Sequence, residues 1–224
     1  MHRYQNQILT VALVVALTAV LASAQNVSKP NKSKVFDPSS PHGQIADMGE
    51  GSGCTICHAP HNGSTLTLGD GANQATGKLL LWAQAFSNQT FGTYSSVTIQ
   101  NTPVEIGGSI PAITEPRVYS FLCLSCHDGV TTPSLINSSN MHGVGNVANS
   151  FGLTNDHPVN MPFDNTKNAG LATPSAVQTA GIWLFGPNNT VQCASCHDAH
   201  DHTNDNYLRI DNTTQSRMCT TCHL

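Results

Sequence analysis

Cys193-Ala194-Ser195-Cys196-His197-Asp198-Ala199-His200 carries a unit that this chain writes four times. The other copies are Cys54-Thr55-Ile56-Cys57-His58, Cys123-Leu124-Ser125-Cys126-His127 and Cys219-Thr220-Thr221-Cys222-His223. Together they use all eight cysteines of the 224-residue chain. Two thiols three residues apart, followed at once by histidine, read as a covalent attachment site for a c-type haem. Two thioether bonds hold the macrocycle and the histidine is the proximal iron ligand. Disulfides or zinc are the competing uses of eight cysteines. Neither explains a histidine directly after every pair, and a thioredoxin-like dithiol needs only one such unit in an α/β setting. Four covalent haems (heme c, with iron) on so short a chain make electron transfer the expected function, with the polypeptide wrapping irons held close together.

Outward from these motifs, the N-terminus shows a basic start, His2-Arg3, then an apolar run from Ile8 to Leu21 and Ala22-Ser23-Ala24. This pattern predicts a signal peptide over residues 1–24, cleaved after Ala24. The run is short for a membrane span, and no later stretch supplies one. Without Arg3 the chain keeps eight Lys+Arg against thirteen Asp+Glu, a formal charge of −5. Haem propionates add further negative charge. No basic stripe or aromatic ladder is present to hold nucleic acid. Expected partners are other redox proteins, extracellular electron acceptors or copies of the chain itself.

Aromatic residues are few while Gly, Pro, Ser, Thr and Asn are abundant, so side chains alone make a poor core. Haem supplies the missing apolar surface, which predicts folding coupled to haem attachment and a largely unfolded apo chain. The expected fold class is a multihaem cytochrome c, mostly coil with short helices and minimal sheet, organised around four stacked haems. Residues 25–224 form a single domain in this reading. The stretch Leu79–Phe86 has a short-helix pattern, with Trp82 and Phe86 as candidates to pack on a porphyrin face. Residues 93–99 carry a weak strand signal, and Val118–Leu124 leads as a short helix into the second motif. Residues 63–77, 137–149 and 155–174 read as loop or turn-rich. Residues 177–185 are apolar enough to pack, and Tyr207–Ile210 links the last two motifs.

The order of histidines reveals an internal repeat. The first half runs His42, then Cys54-x-x-Cys57-His58-x-x-His61, then Cys123-x-x-Cys126-His127; the second runs His157, Cys193-x-x-Cys196-His197-x-x-His200, Cys219-x-x-Cys222-His223. Both copies read upstream His, CxxCHxxH, CxxCH, which predicts a duplicated dihaem unit at about residues 42–130 and 157–224. An electron-transfer haem favours a ligand on both iron faces, since an unchanging coordination sphere keeps reorganisation small. His42, His61, His157 and His200 match the four proximal ligands His58, His127, His197 and His223 in number. His61 lies too close to His58 to reach the far face of its own haem, so it is expected to reach the Cys123/Cys126 haem. His200 is expected to reach the Cys219/Cys222 haem, with His42 and His157 closing the other two, either within the same subunit or in an adjoining one. His142 and His202, without counterparts in the other half, are weaker ligand candidates. Met48, Met141, Met161 and Met218 could each supply a thioether, but bis-histidine haems of low potential are expected.

These residues carry a resemblance. His42, Cys54-x-x-Cys57-His58-Ala59-Pro60-His61-Asn62, Phe121-Leu122-Cys123-Leu124-Ser125-Cys126-His127-Asp128-Gly129, Asp156-His157-Pro158-Val159 and the segment from Cys193 to His223, with Leu208-Arg209, resemble the doubled-CxxCH multihaem cytochromes. Within these the chain is similar to the OmcE-type tetrahaem extracellular cytochromes, whose subunits polymerise into filaments with an unbroken haem stack. The resemblance implies bis-histidine haems, little regular secondary structure and a head-to-tail homopolymer. It also implies one distal histidine supplied across the subunit interface, with His42 as candidate. The function then expected is electron conduction through an extracellular filament, without catalysis. A discrete periplasmic tetrahaem shuttle is the alternative, and a multihaem reductase needs an open iron that this histidine supply argues against.

Overall fold

The structure, a computed structural model, describes residues 79–128, 152–154 and 156–224, with Ser40, His42, Gly43, Cys54, Cys57 and His58. All of these lie in one compact unit, Lys32–Leu224. The predicted signal peptide, the loop at 63–77, the stretch at 137–149 and the candidate ligands His61 and His142 fall outside the described residues. Irregular backbone dominates. Among the described residues the regular elements are short: α1 (Val118–His127), α2 (Pro174–Thr179), α3 (Cys193–Cys196) and α4 (Arg217–Cys222). Among the same residues one antiparallel pair joins β1 (Met161–Pro162) to β2 (Thr190–Val191), with Met161 opposite Val191. Mostly coil, a few helices and a two-stranded sheet agree with the expected architecture. No helix among the described residues is long and apolar enough to cross a membrane.

Helix α1 is the longest element because its sequence gives it a buried face. Val118, Phe121, Leu122 and Leu124 turn inward at helical spacing. They pack on Phe86, Phe91, Ile106 and Leu153 in one apolar cluster. Arg117 anchors the helix start by donating from Nη1 to the Ile106 carbonyl at 2.6 Å and pairing with Glu115 at 2.8 Å. A second cluster gathers Phe163, Leu171, Val177, Ile182, Val191 and Ile210. Thr173 caps α2 through its side-chain oxygen, with Pro174 at the first turn.

A buried polar seam joins α1 to α3. The Ser120 hydroxyl donates to Gln192 Oε1 at 2.7 Å and accepts from the Cys193 backbone N–H at 2.8 Å. Gln192 and Ser195 close a reciprocal cap at the start of α3. The second and third Cys-x-x-Cys units are thereby held side by side.

Two local expectations differ from what is seen. Residues 79–86 are not a helix: Leu79–Leu81 form a 3-10 turn with Leu80 and Leu81 at positive φ, and no helix follows through Phe86. The cause is tertiary, since Ala83 N–H donates to the Cys57 carbonyl and Trp82 bridges His58. Residues 93–99 form no strand, and Ser96 turns the chain back through its hydroxyl to Thr98. Gly152, at φ +50°, lies so close to Phe91 that an added Cβ would sit 1.8 Å from the Phe91 carbonyl oxygen. That contact lets Leu153 N–H reach the same carbonyl at 2.8 Å.

Candidate haem sites

The third unit forms α3 and the fourth ends α4, and both helices stop at the histidine. The histidine N–H closes back on the first cysteine carbonyl at 2.7 Å for His58, 3.1 Å for His197 and 2.9 Å for His223. Cysteines at i and i+3 then share a face, presenting both sulfurs to one macrocycle edge. Past the helix the backbone extends, and His58, His197 and His223 each form an isolated β-bridge, with Trp82, Leu208 and Leu171. The second unit occupies the end of α1.

The first and third sites share one supporting device. His58 Nδ1 meets the Leu80 carbonyl at 2.7 Å, and His197 Nδ1 meets the Asn206 carbonyl at 2.8 Å. Both carbonyls belong to 3-10 turns with paired positive-φ residues, Leu80-Leu81 and Asn206-Tyr207. Two residues beyond each carbonyl comes the bridge partner. Then a backbone N–H returns to the second cysteine: Ala83 to Cys57 at 2.9 Å and Arg209 to Cys196 at 2.8 Å. Occupying Nδ1 fixes the ring and leaves Nε2 for a metal. The repeat in histidine order thus has a structural counterpart at these two sites.

Histidines from distant parts of the chain oppose the proximal ones. His200 faces His58 with ring centres 6.3 Å apart and planes 10° from parallel. His42 faces His127 at 6.3 Å and 66°, and His157 faces His223 at 6.4 Å and 71°. Two imidazoles bonded at about 2.0–2.1 Å to opposite sides of one metal have ring centres about 6.4 Å apart, each nitrogen lying about 1.2 Å from its ring centre. The three pairs therefore fit an iron held between two imidazoles. The partnering differs from the expected one: His200 meets the first site, and it is His157 that stands against His223. His42 meets His127 within the same chain, whereas it was the candidate to cross a subunit interface. His202 packs on Tyr207 at 4.8 Å, with its buried Nδ1 lacking a hydrogen-bond partner.

The electrostatics suit neutral ligands. Burial, with His42 and His197 nearby, pulls His127 down to about 4. Burial also lowers His42 and His157. A neutral imidazole keeps the lone pair that a metal needs. Burial pushes the Cys57 thiol up to about 12 and Cys196 to about 11, and raises Cys222. The neighbouring Cys193, together with burial, holds the Cys123 thiol well above its ordinary value. No cysteine is in a disulfide.

Several supporting residues carry no motif. Tyr207 accepts the His42 backbone N–H at 2.8 Å and stacks on its ring at 4.4 Å. Trp82 sits edge-on to His58 at 5.7 Å and donates to Ser125 Oγ at 2.9 Å. Phe86, the other candidate for a porphyrin face, lies instead in the apolar cluster beside Phe121. Asp198 lies 3.3 Å from His200 Nδ1 and 3.0 Å from Arg209 Nη1. The bond to His200 holds its carboxyl down to about 2, against the opposing effect of burial. The Arg209 guanidinium lies 3.6 Å over the Trp183 ring.

No curated protein matches the chain. Residues 186–224, which contain the third and fourth units, match the doubled CXXCH motif family. That match and the CxxCH units indicate covalently bound c-type haem and support a multihaem c-type cytochrome with an electron-transfer role.

Proposed function

We propose that this chain transfers electrons through four c-type haems, each held between two histidines, and performs no catalysis of its own. The observation that carries the reading is the set of three opposed imidazole pairs with ring centres 6.3–6.4 Å apart. Iron ligated on both faces offers no open position to a substrate, and its coordination does not change with oxidation state. The thiol runs also support close spacing of the haems. Cys57 lies near Cys126 and Cys196 near Cys222, and Cys193 is tied to α1 through its N–H to Ser120 Oγ at 2.8 Å. Macrocycles bonded to neighbouring sulfurs bring their edges together.

The fourth pair follows from the repeat. His42 and His157, the upstream histidines, each oppose the second CxxCH of their own half. His200, from the second CxxCHxxH, opposes the first site in the other half. By the repeat its counterpart His61, outside the described residues, is the candidate ligand left for His197. In this reading the protein is exported and polymerises as a subunit of an extracellular filament, as the resemblance to the OmcE-type cytochromes implies. A discrete periplasmic shuttle is the second reading, favoured by His42 opposing His127 within one chain. Electron microscopy of the secreted, haem-loaded protein separates them. Uniform thin filaments are expected, and monodisperse particles at near-physiological concentration would favour the shuttle.

A further inference from the structure

The two equivalent sites differ in one respect. At the first site the distal histidine, His200, has a carboxylate at its Nδ1, Asp198 Oδ1 at 3.3 Å. The same oxygen accepts the His200 backbone N–H at 3.0 Å. Asp198 is itself fixed on three sides. Its own N–H reaches the Tyr207 carbonyl at 2.7 Å, and its Oδ2 takes Arg209 Nη1 at 3.0 Å. Arg209 Nε in turn donates to the Ala194 carbonyl at 2.8 Å. The Nδ1 atoms of His58, His197 and His157 meet neutral carbonyls instead, those of Leu80, Asn206 and Pro158. In the first half of the repeat the position of Asp198 is Ala59 and that of Arg209 is Ala83. Both members of the pair are therefore confined to the second half. The ligand they act on crosses to the first site.

We propose that Asp198, oriented by Arg209, makes the haem held by His58 and His200 lower in reduction potential than its repeat-related partner at Cys193/Cys196. This rests on the bis-histidine reading above. A carboxylate at Nδ1 draws the ring N–H toward it and gives the imidazole partial imidazolate character, so Nε2 becomes a stronger donor that favours ferric iron. A neutral carbonyl does this less, and an alanine at the corresponding position cannot do it at all. Duplication supplies two like sites, and one ion pair makes them unequal, giving electrons a preferred direction between them. Asp198 is in this account a positioning residue that acts through His200.

The test is a spectroelectrochemical titration of haem-loaded protein, unaltered and Asp198→Asn, with His200 ring resonances followed by nuclear magnetic resonance to identify the first-site haem. The first-site component should move to more positive potential in the variant while the other three stay in place. Arg209→Gln should move the same component the other way, because the carboxylate loses its counter-charge, and this carries the test if Asp198→Asn loads haem poorly. No shift, or a shift confined to the haem at Cys193/Cys196 beside Asp198 in sequence, would overturn the proposal. High-spin iron at the first site of the unaltered protein would instead overturn the ligation reading beneath it.

Discussion

His200 shows what one residue decides. Its spacing from His197 marked it as a ligand that must leave its own haem, but spacing alone could not say where it goes. The destination depends on packing between halves that are far apart in sequence, and the structure sets it 6.3 Å from His58. His200→Ala should therefore leave one high-spin, carbon monoxide-binding haem per chain, at Cys54/Cys57 and not at Cys219/Cys222. Visible and magnetic spectra of the loaded variant check this. Gly152 is a residue whose role the sequence did not announce. With φ at +50° and the Phe91 carbonyl against its Cα, Gly152→Ala should destabilise the loaded protein by about 1–3 kcal/mol. The midpoint of denaturant unfolding measures it. Leu80 poses the reverse case, a half-exposed β-carbon residue at φ 53°. Leu80→Gly should stabilise by about 1 kcal/mol, since glycine adopts this conformation without the steric cost.

At the scale of elements, the CxxCH turns and the Val118 helix were legible because each carries its own local pattern: cysteine spacing in one case, an apolar helical face in the other. The 3-10 turns that hold His58 and His197 were not. Asn206 is a residue type that tolerates positive φ, whereas Leu80-Leu81 resembles a helix in sequence. Hydrogen bonds from Ala83 to Cys57 and from His58 to Leu80 override that local preference. The Ser120–Gln192–Cys193 seam was equally hidden, since nothing in a serine on a helix announces a partner 72 residues away. Ser120→Ala would leave Gln192 Oε1 and the Cys193 N–H without this partner. It should cost about 1–3 kcal/mol, read as a lower thermal midpoint, with haem content unchanged.

The whole molecule places two modest apolar clusters beside its haem sites, a larger side-chain core than composition had suggested. Each cluster is small, and the loops between them carry few apolar anchors. Chain made without haem attachment should therefore remain expanded in size-exclusion chromatography and lack a cooperative thermal transition. The duplicated order of histidines was legible throughout. The crossing of His200 to the first site was not, because it depends on how the halves face each other. The most direct test of the central claim is electron paramagnetic resonance of the oxidised, haem-loaded protein, with spins counted per chain. Four low-spin ferric irons are expected. The near-parallel rings at the first site should give a well-resolved rhombic signal, and the steeply crossed pairs at the second and fourth should give signals with one large g value. Fewer than four irons per chain, or a stoichiometric high-spin signal, would contradict the account.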